Sequence, residues 1–382
     1  MISRNKILIL FTGFAFLLSC ERTEKESVTE PTNIDEFRSY PLDIDVPSRS
    51  GFDLIEGIEV LGLEETDESL LEGLIDASFT NGQIIFKNGR KEQVFIYDEN
   101  GKFISKIEQS GGGPEEYTTI RNLWVNKDLI QIYDGRRIIS FNLDGTFASA
   151  ATFKNRVAHA HSIENGYVGD VSRSPVDGDL NYYLELLNNN LERETLAIPY
   201  AKLKQTNMFW LLTPFSKYND HLVYQHTNGD TLYKVQANGV SPLLSIDLGD
   251  KWVWKDLAVY DDLKRQSLLR RENGAVSMFF MRASEQFIYV NAIRSGTFLI
   301  NRSTGDYQKI SFDKKGEGRF GLSYINWVDG KMVYWISSAD IGEFLNELDP
   351  EKVKFLGGKN LEAIESSENP VLIWVEFKTD LQ

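Results

Sequence analysis

The chain has 382 residues, 42% of them apolar and 12% aromatic, which is enough to build a large core and excludes general disorder. Its formal net charge of −15 excludes the clustered basic surface that nucleic-acid binding requires, and also a body held on anionic lipid by a basic patch. A single cysteine, Cys20, excludes an internal disulfide, so stability must come from core burial.

In chain order, the first predicted element is a leader. Arg4 and Lys6 precede an apolar run of 12 residues, Ile7 to Leu18, which suits a signal-peptide core and is short for a bilayer span. The run ends Leu17-Leu-Ser-Cys20, which resembles the lipobox of bacterial lipoproteins. That resemblance implies cleavage before Cys20, lipidation of its sulfur and acylation of the new amino terminus, a set of chains sufficient for stable anchoring. Residues 1–19 are therefore expected to be a lipoprotein signal peptide. Residues 20–50, polar from Glu21 to Glu30 and punctuated by Pro31, Pro41 and Pro47, read as a flexible tether. The expected location is outside the cytoplasm on a membrane, the outer membrane in particular, on its periplasmic or cell-surface face.

From about residue 55 the pattern becomes short apolar runs separated by turn dipeptides such as Asn100-Gly101, Asp144-Gly145 and Asp329-Gly330, which supply the positive φ of tight hairpins. One unit repeats. Val94-Phe-Ile-Tyr-Asp-Glu-Asn-Gly-Lys-Phe103 aligns with Ile138-Ile-Ser-Phe-Asn-Leu-Asp-Gly-Thr-Phe147, and weaker copies start at Tyr183, Thr231 and Thr297. A period of roughly 40–50 residues with about four strands each is that of a propeller blade. Five copies plus Phe320 to Phe377 predict an all-β, six-bladed β-propeller of four-stranded antiparallel blades over residues 51–382. Leu54 to Leu61 is expected to enter the last blade and close the ring. Trp254 to Arg271 and Ile341 to Ser367 read as short helical insertions that cap one end of it.

Gly101-Lys-Phe-Ile-Ser-Lys-Ile107 leads into Gly111-Gly-Gly-Pro-Glu-Glu-Tyr117. This resembles the Gly-rich stretch after the first blade in the six-bladed β-propeller lipoproteins of Bacteroides-type bacteria, whose common form is Gly-x-Gly-Pro-Gly-Glu-Tyr; Glu115 replaces the second glycine of that form. Gly229-Asp-Thr-Leu-Tyr-Lys-Val235 and Asn369-Pro-Val-Leu-Ile-Trp374 are similar to its fourth-blade and last-strand patterns. The resemblance covers about residues 55–378 and implies fold and location, with little about activity.

Chemistry is sparse. The Gly111–Pro114 run lacks the Lys-Ser/Thr of a phosphate loop and reads as an interblade connection. There is no Gly-x-Ser-x-Gly elbow, and the one cysteine is committed to the anchor, so no catalytic residue is assigned. His159 and His161, two apart, would face the same side of a strand as a channel wall or a shared metal site, though no third ligand is apparent. His221 and His226 read as structural or surface groups. Asp170, Asp177 and Asp179 read as a solvated turn rather than a calcium loop. Trp124, Trp210, Trp252, Trp254 and Trp327 are expected mostly in blade cores, with sugar stacking as the alternative. The candidate ligand-binding residues are Arg121, His159 and His161, at the channel mouth. Two readings follow. One is a monomeric, non-catalytic binding or scaffold lipoprotein whose partner is a glycan or an envelope protein, with no cofactor. The other is a calcium-type, metal-dependent hydrolase or lyase acting on a sugar or lactone. Three or more converging Asp, Glu, Asn or His side chains in the channel would favour the enzyme, and a mixed lining would favour binding.

Overall fold

Strand-forming aromatic and β-branched residues, cut at regular intervals by Gly-containing turns, give this chain many short strands and almost no helix. The computed structural model describes residues 36–172, 181–200, 213–255, 274–316 and 318–381. Their strands form six separate sheets arranged as a six-bladed β-propeller. Blade one comprises Leu74–Thr80, Gln83–Asn88, Val94–Asp98 and Phe103–Ile107. Blade two comprises Asn122–Asn126, Leu129–Tyr133, Arg137–Asn142 and Phe147–Thr152. Blade three comprises Ala160–Ile163, Gly166–Asp170, Asn181–Asn188 and Arg193–Tyr200. Blade four comprises Phe215–Tyr218, His221–Gln225, Thr231–Gln236 and Gly239–Asp247, and blade five Phe279–Ala283, Phe287–Ala292, Gly296–Asn301 and Tyr307–Ser311.

Each of the five sequence repeats falls on the third strand of its blade and, in the best copies, the turn to the fourth. That strand is fully paired on both edges and packed between neighbouring blades, so its apolar run is long. Blade six closes the ring as expected. Its strands Ser323–Val328, Lys331–Ile336 and Val371–Phe377 are joined by Ile55–Gly62 from the start of the body, which pairs antiparallel with Val371–Phe377 from Ile55↔Phe377 to Gly62↔Val371.

The chain engages the propeller earlier than residue 51. Arg38–Pro41 pairs in parallel with the outer strand of blade four, and Ser48–Ser50 with the outer strand of blade five. Tyr40, Leu42 and Ile44 are buried against that surface. Tyr40 Oη and the Arg38 guanidinium both donate to the Arg302 carbonyl at 3.0 Å, and Lys309 Nζ donates to the Ile44 carbonyl at 2.8 Å. Residues 38–62 thus run as a belt over blades four and five and into blade six, covering edges that would otherwise offer unpaired backbone groups. The part of the predicted tether from Arg38 onward is bound. Its earlier part, with Cys20 and the leader, lies outside the described residues.

The insertion between the second and third strands of blade six contains helices Ser338–Leu345 and Leu361–Glu365 and a short strand, Val353–Phe355, that pairs in parallel with Ile55–Gly62. Ile341 and Phe344 join Phe52, Phe312 and Phe320 in one aromatic core cluster. The other expected insertion falls largely on residues 256–273, outside the described residues.

Candidate functional site

The first strand of every blade faces the ring axis, and the six together line one cavity of about 1080 Å³. This is at the upper end of ordinary small-ligand sites, which span about 300–1,000 Å³. The wall is mixed. Phe79, Trp124, Phe215, Phe280, Tyr324 and Trp335 supply aromatic surface, and Asp76, Asn122, His161, Lys217, Arg282 and Asn326 supply polar groups.

Two of the first strands are bulged. In blade one Ile75 pairs with Lys87 and Ser78 with Ile85, so Asp76 and Ala77 together oppose Phe86. In the adjacent blade six Tyr324 pairs with Tyr334 and Trp327 with Met332, so Ile325 and Asn326 oppose Val333. A bulge re-aims side chains that regular pleating would bury, and bulges gather at functional sites. Asp76 pays for its placement with a left-handed backbone, φ 52°. Its carboxylate receives the Leu123 backbone N–H at 3.2 Å across the blade boundary. Burial dominates its electrostatics and raises its pKa from 3.8 to about 7; the Leu123 N–H and the charges of Lys87 and Arg282 only partly oppose this. Asp76 is half-buried on the channel wall, so the group is enclosed though not sealed. The bulge of blade six carries Asn326 past blade five to blade four, where its Nδ2 donates to the Lys217 carbonyl at 3.3 Å and its buried Oδ1 meets no donor among the described residues.

Arg282, on blade five, is 6% exposed. One Nη donates to the Met281 carbonyl at 2.8 Å and the other lies 3.5 and 3.4 Å from the carbonyl and hydroxyl of Thr213 on the approach to blade four. The guanidinium carbon lies 5.8 Å from the centre of the Tyr324 ring. Its backbone carbonyl is fixed by Trp327 Nε1 at 2.9 Å.

Of the three residues expected at the site, only His161 lines the cavity. Its ring stacks on Trp124 at 4.9 Å between centroids, and Phe215 flanks it at 6.1 Å. Nδ1 lies 2.9 Å from the Ser162 carbonyl, an acceptor only, so Nδ1 carries the proton and Nε2 is left as an acceptor. Burial holds its pKa down at about 4, so the ring is neutral at physiological pH. His159 precedes the first strand of blade three and pairs through Nδ1 with Asn122 Oδ1 at 3.2 Å, and it is not part of the cavity wall. Arg121, just before the first strand of blade two, is exposed and folds over Gly135, where a Cβ would sit 2.6 Å from its Nε; it too lies outside the wall. His226 is half-buried and stacks on Tyr183 at 3.8 Å between ring centroids, in keeping with a structural role.

The Gly111–Tyr117 stretch is the connection between blades one and two. The Gly113 N–H is used by Glu116 Oε2 at 2.7 Å, and the Arg137 guanidinium takes the Gly113 and Glu116 carbonyls at 3.1 and 2.6 Å. With these groups engaged by Glu116 and Arg137, the stretch serves as a braced interblade connection. Trp252 and Trp254 are buried in the core; Trp327 is buried beside the cavity, and Trp210, Asp177 and Asp179 lie outside the described residues. Among the described residues no group of three or more His, Cys, Asp or Glu side chains is disposed to hold a metal.

Six antiparallel blades around a mixed axial cavity define a β-propeller with a single central site as its strongest candidate. Residues 51–376 match the family described as Domain of unknown function (DUF4934), and the chain belongs to that family. A Bacteroides fragilis protein described as exported has the same fold: TM-score 0.70 at 15% identity, covering 90% of this chain and 100% of its own. A member of the DUF4221 family from Bacteroides vulgatus is similar at 13% identity and TM-score 0.48, over 85% of this chain and 97% of its own. A search of curated proteins found no match. No helix among the described residues is long and apolar enough to cross a membrane.

Proposed function

We propose that this protein is a cell-envelope lipoprotein, anchored through Cys20 on the outer membrane, whose propeller binds a small polar ligand in its channel without transforming it. The observation that carries the reading is the mixed cavity built by the first strands of all six blades, with aromatic faces beside isolated hydrogen-bonding groups. The leader and Leu17-Leu-Ser-Cys20 support the anchor, and the description of the B. fragilis neighbour as exported agrees with it. His161 joins the site as a neutral acceptor; Arg121 and His159 are supporting residues beside it.

The test is thermal unfolding of residues 36–382 with a panel of neutral and acidic sugars, since a ligand that binds only the folded state raises the midpoint by mass action. A raised midpoint with a sugar supports binding. No shift with any of them contradicts it and turns the search to a protein partner. For the anchor, Cys20→Ser should move the full chain from the membrane fraction to the soluble one; unchanged membrane retention would rule the anchor out.

A second reading, catalysis on a sugar or lactone, has one specific observation in its favour. A carboxyl with a pKa near 7 is suited to proton transfer at neutral pH. Turnover lost in Asp76→Asn, or a calcium-dependent midpoint reversed by chelator, would replace binding by this reading.

A further inference from the structure

Two buried or half-buried arginines among the described residues are held by carboxylates. Arg137 bridges Asp134 at 3.0 Å and Arg193 bridges the fully buried Glu185 at 2.9 Å. Arg282 has no such carboxylate among the described residues. It is 94% buried on the cavity wall, it meets only neutral acceptors, and its Nε is buried with no acceptor among the described residues. In a chain of net charge −15 carboxylates are not scarce, yet none of the described ones pairs with it. Leaving a guanidinium desolvated without a counter-ion is costly, so such a group is a receptor for an anion that arrives from outside. The planar fork of arginine matches a carboxylate, which it grips with two parallel N–H···O bonds.

The neighbouring wall narrows the choice further. Asp76 accepts one backbone N–H and has acceptor capacity left, and Asn326 Oδ1 is a buried acceptor without a donor. Acceptors call for hydroxyls. Tyr324 and Trp335 add half-buried aromatic surface on which a ring can stack. We propose that the ligand of this channel is a sugar bearing a carboxylate, with the carboxylate on Arg282 and hydroxyls donating to Asp76 and Asn326. This rests on the binding reading above. Asp220, Glu285 and Asp329 share the cavity but are exposed, and salt largely screens exposed charges beyond about 8 Å. The desolvated Arg282 keeps its reach.

The experiment is calorimetric titration of residues 36–382 with D-glucuronate, D-glucose and N-acetylglycine. The wild type, Arg282→Lys, Arg282→Met and Asp76→Asn would be compared, with each variant's melting confirming that it is folded. Glucuronate should bind at least tenfold more tightly than glucose or N-acetylglycine. Arg282→Lys should weaken it on the order of tenfold, because charge is kept and the fork is lost, and Arg282→Met should weaken it further. Asp76→Asn should tighten it at pH 8 and leave it nearly unchanged at pH 5.5. The charges facing Asp76 are Lys87 and Arg282, with Lys217, Asp220, Glu285 and Asp329 in the same cavity, and the variant leaves all of them in place. Equal binding of glucose and glucuronate, or Arg282→Lys without effect, overturns this inference and leaves the channel a binding site. N-acetylglycine binding as tightly as glucuronate overturns the sugar half. No binding by any acidic or neutral sugar overturns both this inference and the reading on which it rests.

Discussion

Asp76 concentrates the chemistry of the channel in one side chain. Its carboxyl is folded at a pKa near 7 against 3.8 when free, so the folded chain holds a proton between these values that the unfolded chain has released. The stability contributed by that proton is full below pH 3.8 and is lost progressively as pH rises to 7. Above pH 7 the ionised group costs up to about 4 kcal/mol, and about 1–3 kcal/mol once water in the channel is allowed for. Asparagine tolerates the left-handed backbone and carries no charge. The stability gained by Asp76→Asn over the wild type should therefore be clearly larger at pH 8 than at pH 5, measured by urea unfolding at the two values. A difference that does not change with pH would contradict the buried carboxyl. His161 and His226 work in the opposite sense. Each is held neutral with a pKa near 4, so their contribution is full above 6.5 and is lost as pH falls toward 4. Both are the same in wild type and variant, so the comparison isolates Asp76. None of this could be read from the sequence, where Asp76 is one of 56 acidic residues and nothing marks the bulge that turns it inward.

At the scale of elements, the third strands of the blades were legible and the first strands were not. A third strand such as Val94–Asp98 is buried on both faces, reads as an unbroken apolar run and ends in a glycine turn. The first strands line a wet cavity, mix polar with aromatic residues, and in blades one and six lose their period of two at a bulge. Arg121 was expected just ahead of a first strand and lies one residue short of the wall; His159, expected on the same strand face as His161, precedes its strand and lies off the wall. The belt was hidden for a related reason. Arg38–Pro41 and Ser48–Ser50 are short, polar edge strands whose proline and charges read as linker. Their removal should be costly, because Tyr40, Leu42 and Ile44 leave the surface they cover. A chain beginning at residue 51 should be less stable than one beginning at residue 36 by on the order of 3–6 kcal/mol, after the entropy of ordering the belt is deducted. Equal melting midpoints of the two chains would show that the belt is only laid on the surface.

At the scale of the whole molecule, the ring is held by the pairing of Ile55–Gly62 with Val371–Phe377, which ties the two ends of the propeller into one sheet. Six blades and the closing strand followed from the repeat period and from the need to hide sheet edges, and both stand in the structure. Leu61 in the closing strand is fully buried beside the Gly101 and Gly357 turns. Leu61→Ala should cost about 2–5 kcal/mol, and as one cooperative transition rather than the melting of blade six alone. Calorimetry that resolves two transitions would contradict closure as the source of cooperativity.

On the proposed function, the axial channel is where this protein meets its ligand. Ser216 sits on the wall between Phe215 and Lys217, half-buried and with no side-chain hydrogen bond among the described residues. The most direct measurement is titration of Ser216→Trp with whichever sugar binds the wild type, beside a melting curve of the same sample. The expected result is a folded variant that no longer binds, because the indole occupies the channel. A folded variant that binds as the wild type does would place the site elsewhere on the propeller.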